Sequence, residues 1–175
     1  MMKRGARLSK RSRFIWLGLV SLPLLALLYM MLSKTKSRQN VKSSPNKFAR
    51  DHVLPLIDYT GFHDEMGKIL LAQAAFETGN FTSEIFKDNN NMFGMKLPKQ
   101  RKTTAIGEKH GHATYNSIEE NIEDMRLYFN AKKISPTFNT VDSYINKIRE
   151  KNYFESDPDE YKAGVIYYYN LYFTE

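Results

Sequence analysis

The sequence predicts an α+β domain that is mainly helical and carries one small β-hairpin. Apolar residues recur at helical spacing in several stretches after residue 48, most clearly over residues 64–78 and 118–129. Between residues 92 and 116 this spacing is lost, and short strand-like runs are separated by glycines. Residues that typically begin helices precede three later segments. These three observations together define the expected fold class.

The first 50 residues differ in composition from the rest of the chain. They contain 12 lysines and arginines and no acidic residue, whereas residues 51–175 contain 14 basic and 19 acidic residues. The net charge of +7 therefore comes from the N-terminal segment. A nucleic-acid-binding domain would carry its basic excess on the folded part, so nucleic acid is not an expected partner. The chain has no cysteine, which excludes disulfides and thiolate metal sites.

An uncharged apolar run over residues 14–32 predicts a transmembrane anchor. At about 1.5 Å per residue, a helix of 19 residues is long enough to cross the hydrocarbon core of a membrane. The alternative is a cleaved signal peptide, whose apolar region is normally about 7–15 residues long and ends in small residues. Leu32-Ser33-Lys34 does not fit such a cleavage site, which favours an uncleaved anchor.

The expected organisation therefore has four segments. These are a basic cytoplasmic tail over residues 1–13, the anchor over 14–32, a flexible linker over 33–47, and a globular domain over 48–175. The two flanks of the anchor carry six lysines and arginines each, so the count alone does not orient it. The tighter cluster before the anchor favours an N-terminus inside.

A helix that ends near Glu77 organises the globular domain. Good helix formers dominate residues 64–78, and Gly79 supplies the stop signal that often follows a helix C-terminus. Glu77 therefore lies in the last turn of an apolar helix, where the helix dipole disfavours a carboxylate. Partial burial there would raise the pKa of the carboxyl, as a general acid at neutral pH requires.

The segments on either side of this helix are less regular. Residues 48–59 are expected to form a first helix that is interrupted near Pro55. Residues 80–91 are expected to form a loop with one short helix, which Thr82 can cap. Residues 103–106 and 113–115 are predicted to be the strands of the hairpin.

The hairpin contains Glu108, His110 and His112. On a single strand these three side chains would point to the same side, so a metal site is conceivable. Such residues on a polar hairpin are more often solvated, however, and no complete ligand set stands out. We therefore predict no metal and no cofactor.

Three capped helices are expected to complete the domain. Ser117 begins the first, and Glu120 completes a capping box. Thr140 begins the second, and Asp157 begins the third with Pro158 at the first helical position. Their inward faces are predicted to carry Ile118, Ile122, Met125 and Phe129, then Val141, Tyr144, Ile145 and Ile148, and finally Tyr161, Val165, Tyr168 and Tyr172.

Two motifs resemble the glucosaminidase domain of glycoside hydrolase family 73. The first is AQAAFETG over residues 72–79, followed by Ser83, and the second is NNMFGMK over residues 90–96. The family pattern is roughly AQAALETGWG-x-S followed by NNLFGIK. Here Phe76 replaces leucine, and Asn80-Phe81 replaces tryptophan-glycine.

Weaker matches extend the resemblance over roughly residues 50–173. The segment YFESDPDEY over residues 153–161 is similar to the family's YATDPxY, with two extra residues. The resemblance implies a lysozyme-like fold in which the hairpin lobe faces a helical lobe. It also implies hydrolysis of β-1,4 bonds at N-acetylglucosamine in bacterial peptidoglycan.

The resemblance implies catalytic roles for specific residues. Glu77 would be the proton donor. The second group would come from the hairpin lobe, where Glu108 is the one carboxylate between Asp88 and Glu119. Alternatively, the 2-acetamido oxygen of the substrate attacks the anomeric carbon, and Tyr153 orients that acetamide. The expected substrate contacts are Gln73, Ser83, Asn91, Phe93, Gly94 and Tyr115.

Two other functions remain open from the sequence. A lytic transglycosylase would use one glutamate as acid and base, and a non-catalytic wall-binding or envelope-scaffold module would keep the fold without turnover. The expected partners are peptidoglycan glycan strands and, through residues 14–32, the membrane. The expected location is the bacterial cytoplasmic membrane, with a single pass, the N-terminus inside and the domain on the extracytoplasmic side. The oligomeric state is left open.

Overall fold

The computed structural model describes residues 47–62 and 64–174. They belong to one compact unit, residues 45–175. The predicted tail over residues 1–13, the anchor over 14–32 and nearly all of the linker lie outside the described residues. Among the described residues, no helix has both the length and the apolar character needed to span a membrane.

The described domain is mainly helical with a two-stranded antiparallel sheet, as the sequence predicts. A π-helical turn, Ala49–Val53, runs directly into helix α1, Leu54–Tyr59. The remaining elements are α2 Asp64–Glu77, α3 Glu84–Asn89, β1 Gly107–Lys109, β2 His112–Thr114, α4 Ile118–Lys132, α5 Val141–Glu150 and α6 Pro158–Phe173.

Helix α2 is the centre of the core. Every residue from Ile69 to Ala75 is buried, so this helix is covered on all sides and not along one stripe only. Helix α6 packs closely against it. A Cβ atom at Gly164 would lie 2.1 Å from Cε2 of Phe76, so only glycine permits this approach. The close packing of α2 and α6 brings the C-terminal part of the chain to the end of the Glu77 helix.

The first helical segment differs from the prediction at Pro55. The chain is not interrupted there but changes from π-helix to α-helix, and Pro55 lies in the first turn of α1. The Leu54 N–H donates to the carbonyl of Ala49, five residues back. A proline is tolerated in the first turn of a helix, and the wider π-helical turn before it accommodates the ring.

Ser83, and not the predicted Thr82, caps helix α3. The Ser83 Oγ accepts a hydrogen bond of 3.2 Å from the Phe86 N–H. The Thr82 hydroxyl instead donates to the Gly79 carbonyl at 2.7 Å, which closes the turn after α2. The prediction of Thr82 was wrong because that hydroxyl is already used by the preceding turn.

The hairpin lies four residues later than predicted on its first strand. Gly107 pairs with Thr114, and Lys109 pairs with His112. The two residues between the strands, His110 and Gly111, have φ values of 57° and 72°, as a tight two-residue hairpin turn requires. Residues 103–106 are not part of either strand. The prediction failed there because a histidine in the left-handed region is not a recognisable turn signal.

The three predicted caps of the later helices are confirmed. Ser117, Thr140 and Asp157 each accept a backbone N–H from the first turn of α4, α5 and α6. The Glu120 carboxylate accepts the N–H of Asn116 at 2.9 Å, one residue before the cap that a capping box would use. The predicted inward residues are buried, except that Ile118 and Tyr168 are half-buried.

Candidate active site

Glu77 is the last residue of α2, and its carboxyl is held from the side of α6. The Tyr161 hydroxyl donates a hydrogen bond of 2.5 Å to Glu77 Oε1. Burial raises the pKa of Glu77, and the hydrogen bond from Tyr161 opposes this effect without cancelling it. The result is a carboxyl whose pKa is above its ordinary value, as the helix-end position predicted.

The other oxygen of the carboxyl faces the second sequence motif. Gly94 has a φ of +63°, and a Cβ atom there would lie 3.1 Å from Glu77 Oε2. A side chain at this position would therefore be strained in its backbone and would press on the carboxyl. The two carboxyl oxygens thus have different surroundings, a tyrosine hydroxyl at Oε1 and a glycine backbone at Oε2.

A buried chain of hydrogen bonds supports the Tyr161 hydroxyl. Tyr144 donates to Gln73 Oε1 at 2.5 Å, and Gln73 Nε2 donates to the Tyr161 oxygen at 3.0 Å. All these donors point the same way, towards Glu77. Because Tyr161 gives its proton to Oε1, the carboxyl proton of Glu77 belongs on Oε2.

The NNMFGMK segment is shaped by the side chain of Asn91. Its amide nitrogen donates to the carbonyls of Met95 at 2.8 Å and Ala113 at 2.9 Å, and its oxygen accepts the Met95 N–H at 3.1 Å. The Ala113 N–H donates to the Met95 carbonyl at 2.9 Å. These bonds fasten the loop that carries Gly94 to strand β2.

Most of the residues that were predicted to contact substrate are buried and hold the surrounding structure of the site in place. Their side chains are at most 3% exposed and leave no surface for a substrate, which corrects the expectation for Gln73, Asn91, Phe93 and Tyr115. Ser83 caps α3, as described above. Of the six residues, Gly94 is the one that lies directly against the Glu77 carboxyl.

Tyr153 lies close to the same carboxyl. Its hydroxyl donates to the Phe93 carbonyl at 2.7 Å, and its ring meets that of Tyr128 edge-on, with centroids 5.3 Å apart. Burial raises the pKa of Tyr153 well above its ordinary value, and the neighbouring Tyr161 and Glu77 add to the effect. The hydroxyl therefore remains protonated at physiological pH, and its oxygen keeps free acceptor capacity.

Glu108 is placed very differently. It lies on β1, is exposed, and has no side-chain hydrogen bond or ion pair with any described residue. No contact within residues 47–62 and 64–174 joins it to Glu77. No described residue therefore holds Glu108 in position for its predicted role as the second catalytic carboxylate.

Glu108, His110 and His112 do not share one strand, which corrects that expectation. His110 lies in the turn and pairs with Asp88 Oδ2 at 3.1 Å, and His112 lies on β2. Hydrogen bonds from Lys109 and His110 lower the pKa of Asp88. Within the described parts of the chain, no three histidine, aspartate or glutamate side chains are grouped as metal ligands.

An ion pair fixes the segment between the Gly94 loop and the hairpin. Arg101 donates two hydrogen bonds to Asp124 on α4, at 2.6 and 2.8 Å, and Tyr115 adds a third at 2.9 Å. Burial alone would raise the pKa of Asp124, but these donors lower it below its ordinary value. The pair therefore stays charged and holds this segment on α4.

A cavity of about 620 Å³ lies in front of this segment. Gly94 and Tyr153 line it, together with Arg101 and Tyr128. The position that a Cβ atom of Gly94 would take lies 3.1 Å from Glu77 Oε2, so the cavity begins at a residue that faces this oxygen. A ligand bound at this end of the cavity would lie near the Glu77 carboxyl.

Tyr161 and Tyr144 are the residues whose roles the sequence did not reveal. Both were predicted only as part of the inward faces of helices. Tyr161 is separated from Glu77 by 84 residues, so no local pattern connects the two. One signal was present, because Tyr161 ends the YFESDPDEY segment that resembles the family's YATDPxY.

Comparison with known proteins found similar sequences. The sequence profile of the glucosaminidase family, described as mannosyl-glycoprotein endo-beta-N-acetylglucosaminidase, matches residues 63–172. Protein bax of Escherichia coli (strain K12) is 39% identical over 54 residues, which are 31% of this chain and 20% of that protein. The similarity thus spans about a fifth of that relative. No solved structure matches.

The profile match covers more than half of the chain and includes the residues that build the site, Glu77, Gly94 and Tyr161. This match supports a glycosidase role of the peptidoglycan-hydrolase type. The chain belongs to the glucosaminidase family.

Proposed function

We propose that the domain is an endo-β-N-acetylglucosaminidase that hydrolyses β-1,4 bonds of peptidoglycan, with Glu77 as the general acid. The observation that carries this proposal is the carboxyl itself. It is largely buried, its Oε1 accepts a hydrogen bond from Tyr161, and its Oε2 faces Gly94, which lines the cavity. Membership of the glucosaminidase family supports the choice of substrate and bond.

In the first step Glu77 protonates the leaving group. The proton on Oε2 passes to the glycosidic oxygen while the bond from the anomeric carbon to that oxygen breaks. Burial raises the pKa of the carboxyl, which favours the protonated form that a general acid needs. Tyr161 keeps Oε1 occupied, so the proton is presented from one oxygen only.

The acetamide of the substrate is the proposed nucleophile. Its oxygen forms a bond to the anomeric carbon as the leaving group departs, giving a cyclic oxazolinium. The Tyr153 hydroxyl donates to the Phe93 carbonyl, so its oxygen can accept the acetamide N–H and orient the group. Water then attacks the anomeric carbon, the ring reopens, and the Glu77 carboxylate takes the proton from that water.

This route fits the contrast between Tyr153 and Glu108. Tyr153 lines the cavity next to Gly94, whereas Glu108 is exposed on the hairpin without a partner among the described residues. A single positioned carboxyl also suits a lytic transglycosylase, in which a substrate hydroxyl replaces water. That activity is the second candidate.

Product analysis tests the proposal. Purified peptidoglycan is incubated with the protein in water enriched in ¹⁸O, and the fragments are measured by mass spectrometry. Hydrolysis is expected to leave a reducing N-acetylglucosamine end that carries one ¹⁸O atom. Anhydro-muramyl ends without ¹⁸O would instead identify a lytic transglycosylase, and glycan binding without any cleavage would identify a non-catalytic module.

We also propose that residues 14–32 anchor the protein in the bacterial cytoplasmic membrane, with the domain outside. The support is the uncharged run of 19 residues between two basic flanks. The complete chain is expected to sediment with membranes and to resist extraction by alkaline carbonate. Recovery of the intact chain in the soluble fraction, or of a chain trimmed near residue 33, would contradict an anchor.

A further inference from the structure

The cavity next to Gly94 concentrates positive charge in a domain that is otherwise acidic. Residues 51–175 contain 14 basic and 19 acidic residues. More than a third of those basic residues line this one cavity, and Glu155 is the single acidic residue among the described residues around it. The cationic side chains are Lys96, Lys99, Arg101, Lys132 and Lys151.

Three of these cationic side chains form no salt bridge within the described parts of the chain. Arg101 is bound to Asp124, and Lys96 lies 3.4 Å from Glu155. The other three, Lys99, Lys132 and Lys151, form no ion pair with any described residue. Five cationic side chains and one carboxylate around a concave surface create a positive potential that attracts an anionic ligand.

Tyr128 lines the cavity, and its buried hydroxyl lacks a hydrogen-bond partner among the described residues. Tyr128 is 8% exposed, and its hydroxyl has no hydrogen bond within residues 47–62 and 64–174. Burial raises the pKa of Tyr128 to about 12, so the hydroxyl keeps its proton and can donate it to an acceptor. The ring of Tyr128 also lies beneath the Arg101 guanidinium, at 5.8 Å. Unpartnered buried donors are rare in folded proteins and indicate a missing acceptor.

The position of the cavity restricts what this anion can be. Gly94 and Tyr153 line it, and both lie beside the proposed acid, Glu77. A ligand group bound here is therefore attached to the sugars next to the cleaved bond. In peptidoglycan every second sugar is a muramic acid, whose lactyl group ends in a carboxylate. That carboxylate is either free or joined to a stem peptide that has carboxylates of its own.

We propose that this cavity is a subsite for carboxylates carried by the muramic acid residues of the glycan strand. The inference rests on the proposed function, since it assigns the substituent of the same substrate. Lys99, Lys132 and Lys151 supply the charge that attracts the carboxylate. The subsite would let the enzyme discriminate between peptidoglycan and chitin, since chitin has β-1,4-linked N-acetylglucosamine but no carboxylate.

Rate measurements with charge-matched variants of the complete chain test the subsite. The cavity variant is Lys99→Gln/Lys132→Gln/Lys151→Gln. The control variant is Lys68→Gln/Lys87→Gln/Lys147→Gln, which removes the same charge from lysines outside the cavity. The substrates are strands with stem peptides, strands freed of peptides by an amidase, and chitin oligosaccharides of similar length.

The cavity variant is expected to lose about 10-fold in kcat/KM on carboxylate-bearing strands, mainly through KM. Each exposed ion pair is expected to contribute about 2-fold, and three together give a loss of this order. Loss only on strands freed of peptides assigns the lactyl carboxylate, loss only on peptide-bearing strands assigns the carboxylates of the peptide, and loss on both shows that the cavity accepts either. An unchanged ratio of strand to chitin turnover, or an equal loss in the control variant, would overturn the proposal.

A binding experiment separates this inference from the proposed function. Glu77→Gln is added to the cavity variant and to the control variant, and strand and chitin affinities are compared by calorimetry. If the wild-type protein cleaves nothing, the proposed function fails, but the affinities still decide the subsite. Preference for strands that disappears only in the cavity variant supports it, and equal affinity for strands and chitin refutes it.

Discussion

The two carboxylates that the sequence proposed for catalysis have very different surroundings. Glu77 ends the central helix, is largely buried, and accepts a hydrogen bond from Tyr161, which two further buried side chains support. Glu108 lies exposed on a short hairpin and has no side-chain partner among the described residues. The residue type and its motif are enough to identify a candidate catalytic carboxylate. The residues packed around it determine whether its pKa is raised and how the carboxyl is oriented.

The largest expected effect is the difference between Glu77→Gln and Glu108→Gln. The first change keeps the shape but removes the transferable proton, so turnover of peptidoglycan should fall by about 10²–10⁴-fold. The second should reduce turnover by less than about 3-fold, because an exposed solvated side chain contributes little fixed interaction. Initial rates on purified peptidoglycan measure both. A comparable loss in the two variants would reinstate Glu108 as the second catalytic group.

Gly94→Ala tests whether the close approach to Glu77 Oε2 matters. The new Cβ would lie 3.1 Å from that oxygen, so the carboxyl would have to shift by a few tenths of an ångström. A misplacement of about 1 Å can cost about 10²-fold in rate, so this smaller shift is expected to reduce the rate by about 10-fold. Gly111→Ala is the matched control, because Gly111 also has a positive φ but has nothing within 4 Å of its Cβ position.

Both glycine variants should lose about 1–2 kcal/mol of unfolding free energy from backbone strain. Only Gly94→Ala should lose most of its activity. Denaturant unfolding and initial rates, measured on the same samples, separate the two effects. Equal loss of activity in both variants would show that strain alone is responsible.

Tyr161→Phe should produce a loss of similar size together with a shift in pH dependence. The hydrogen bond from Tyr161 lowers the pKa of Glu77, so its removal raises that pKa further. A general acid loses activity as pH rises through its pKa, so the alkaline limb of the rate profile should move to higher pH. A rate loss of about 10-fold is expected, since the carboxyl also loses its orientation. A lower rate with an unmoved alkaline limb would indicate a packing role only.

The smallest effect concerns stability and separates Glu77 from ordinary surface carboxylates. Its pKa in the folded state lies above the ordinary value of 4.5, so the folded protein holds this proton more tightly than the unfolded chain does. Ionisation of Glu77 therefore costs stability, starting as pH rises through 4.5 and complete above the folded-state pKa.

The glutamine in Glu77→Gln cannot ionise, so this variant should not lose stability as the pH rises. Its free energy of unfolding should exceed that of the wild-type protein at neutral pH, and the difference should shrink at pH 4. Urea unfolding at both pH values measures it. Glu108→Gln is the control and should show no such pH-dependent gain. A difference between Glu77→Gln and the wild type that is the same at both pH values would contradict the burial of Glu77.

Local signals in the sequence predicted most of the helical framework. The caps at Ser117, Thr140 and Asp157 depend on contacts within three residues, and all three were predicted correctly. The predicted hairpin was displaced because its turn is His110-Gly111, and histidine marks a positive φ less clearly than the Asn-Gly or Gly-Gly pairs that usually form such turns. Thr82 and Ser83 are adjacent and chemically equivalent as caps, so only the three-dimensional turn decides between them.

The sequence was sufficient to predict the residues at the centre of the site, but not the residues that hold them in place. Glu77 and Gly94 could be nominated because they lie in compact motifs. The partners of Glu77 come from α5 and α6, 67 to 84 residues away in the chain. Apolar helix faces and buried tyrosines look identical in a sequence, so Tyr144 and Tyr161 were predicted as core alone. Gln73 was predicted to touch substrate because a motif does not reveal which side of the helix is buried.

The Gln73 amide also determines how Glu77 can regain its proton. An amide can donate and accept hydrogen bonds, but it does not release a proton at ordinary pH, so the Tyr144–Gln73–Tyr161 chain cannot conduct protons. After Glu77 has donated its proton, it must be reprotonated at Oε2 by water. Reprotonation at Oε1 through the protein interior is blocked. In a Gln73→Glu variant a second carboxyl could supply a proton to Glu77 through Tyr161, so reprotonation would no longer depend on water at Oε2 alone.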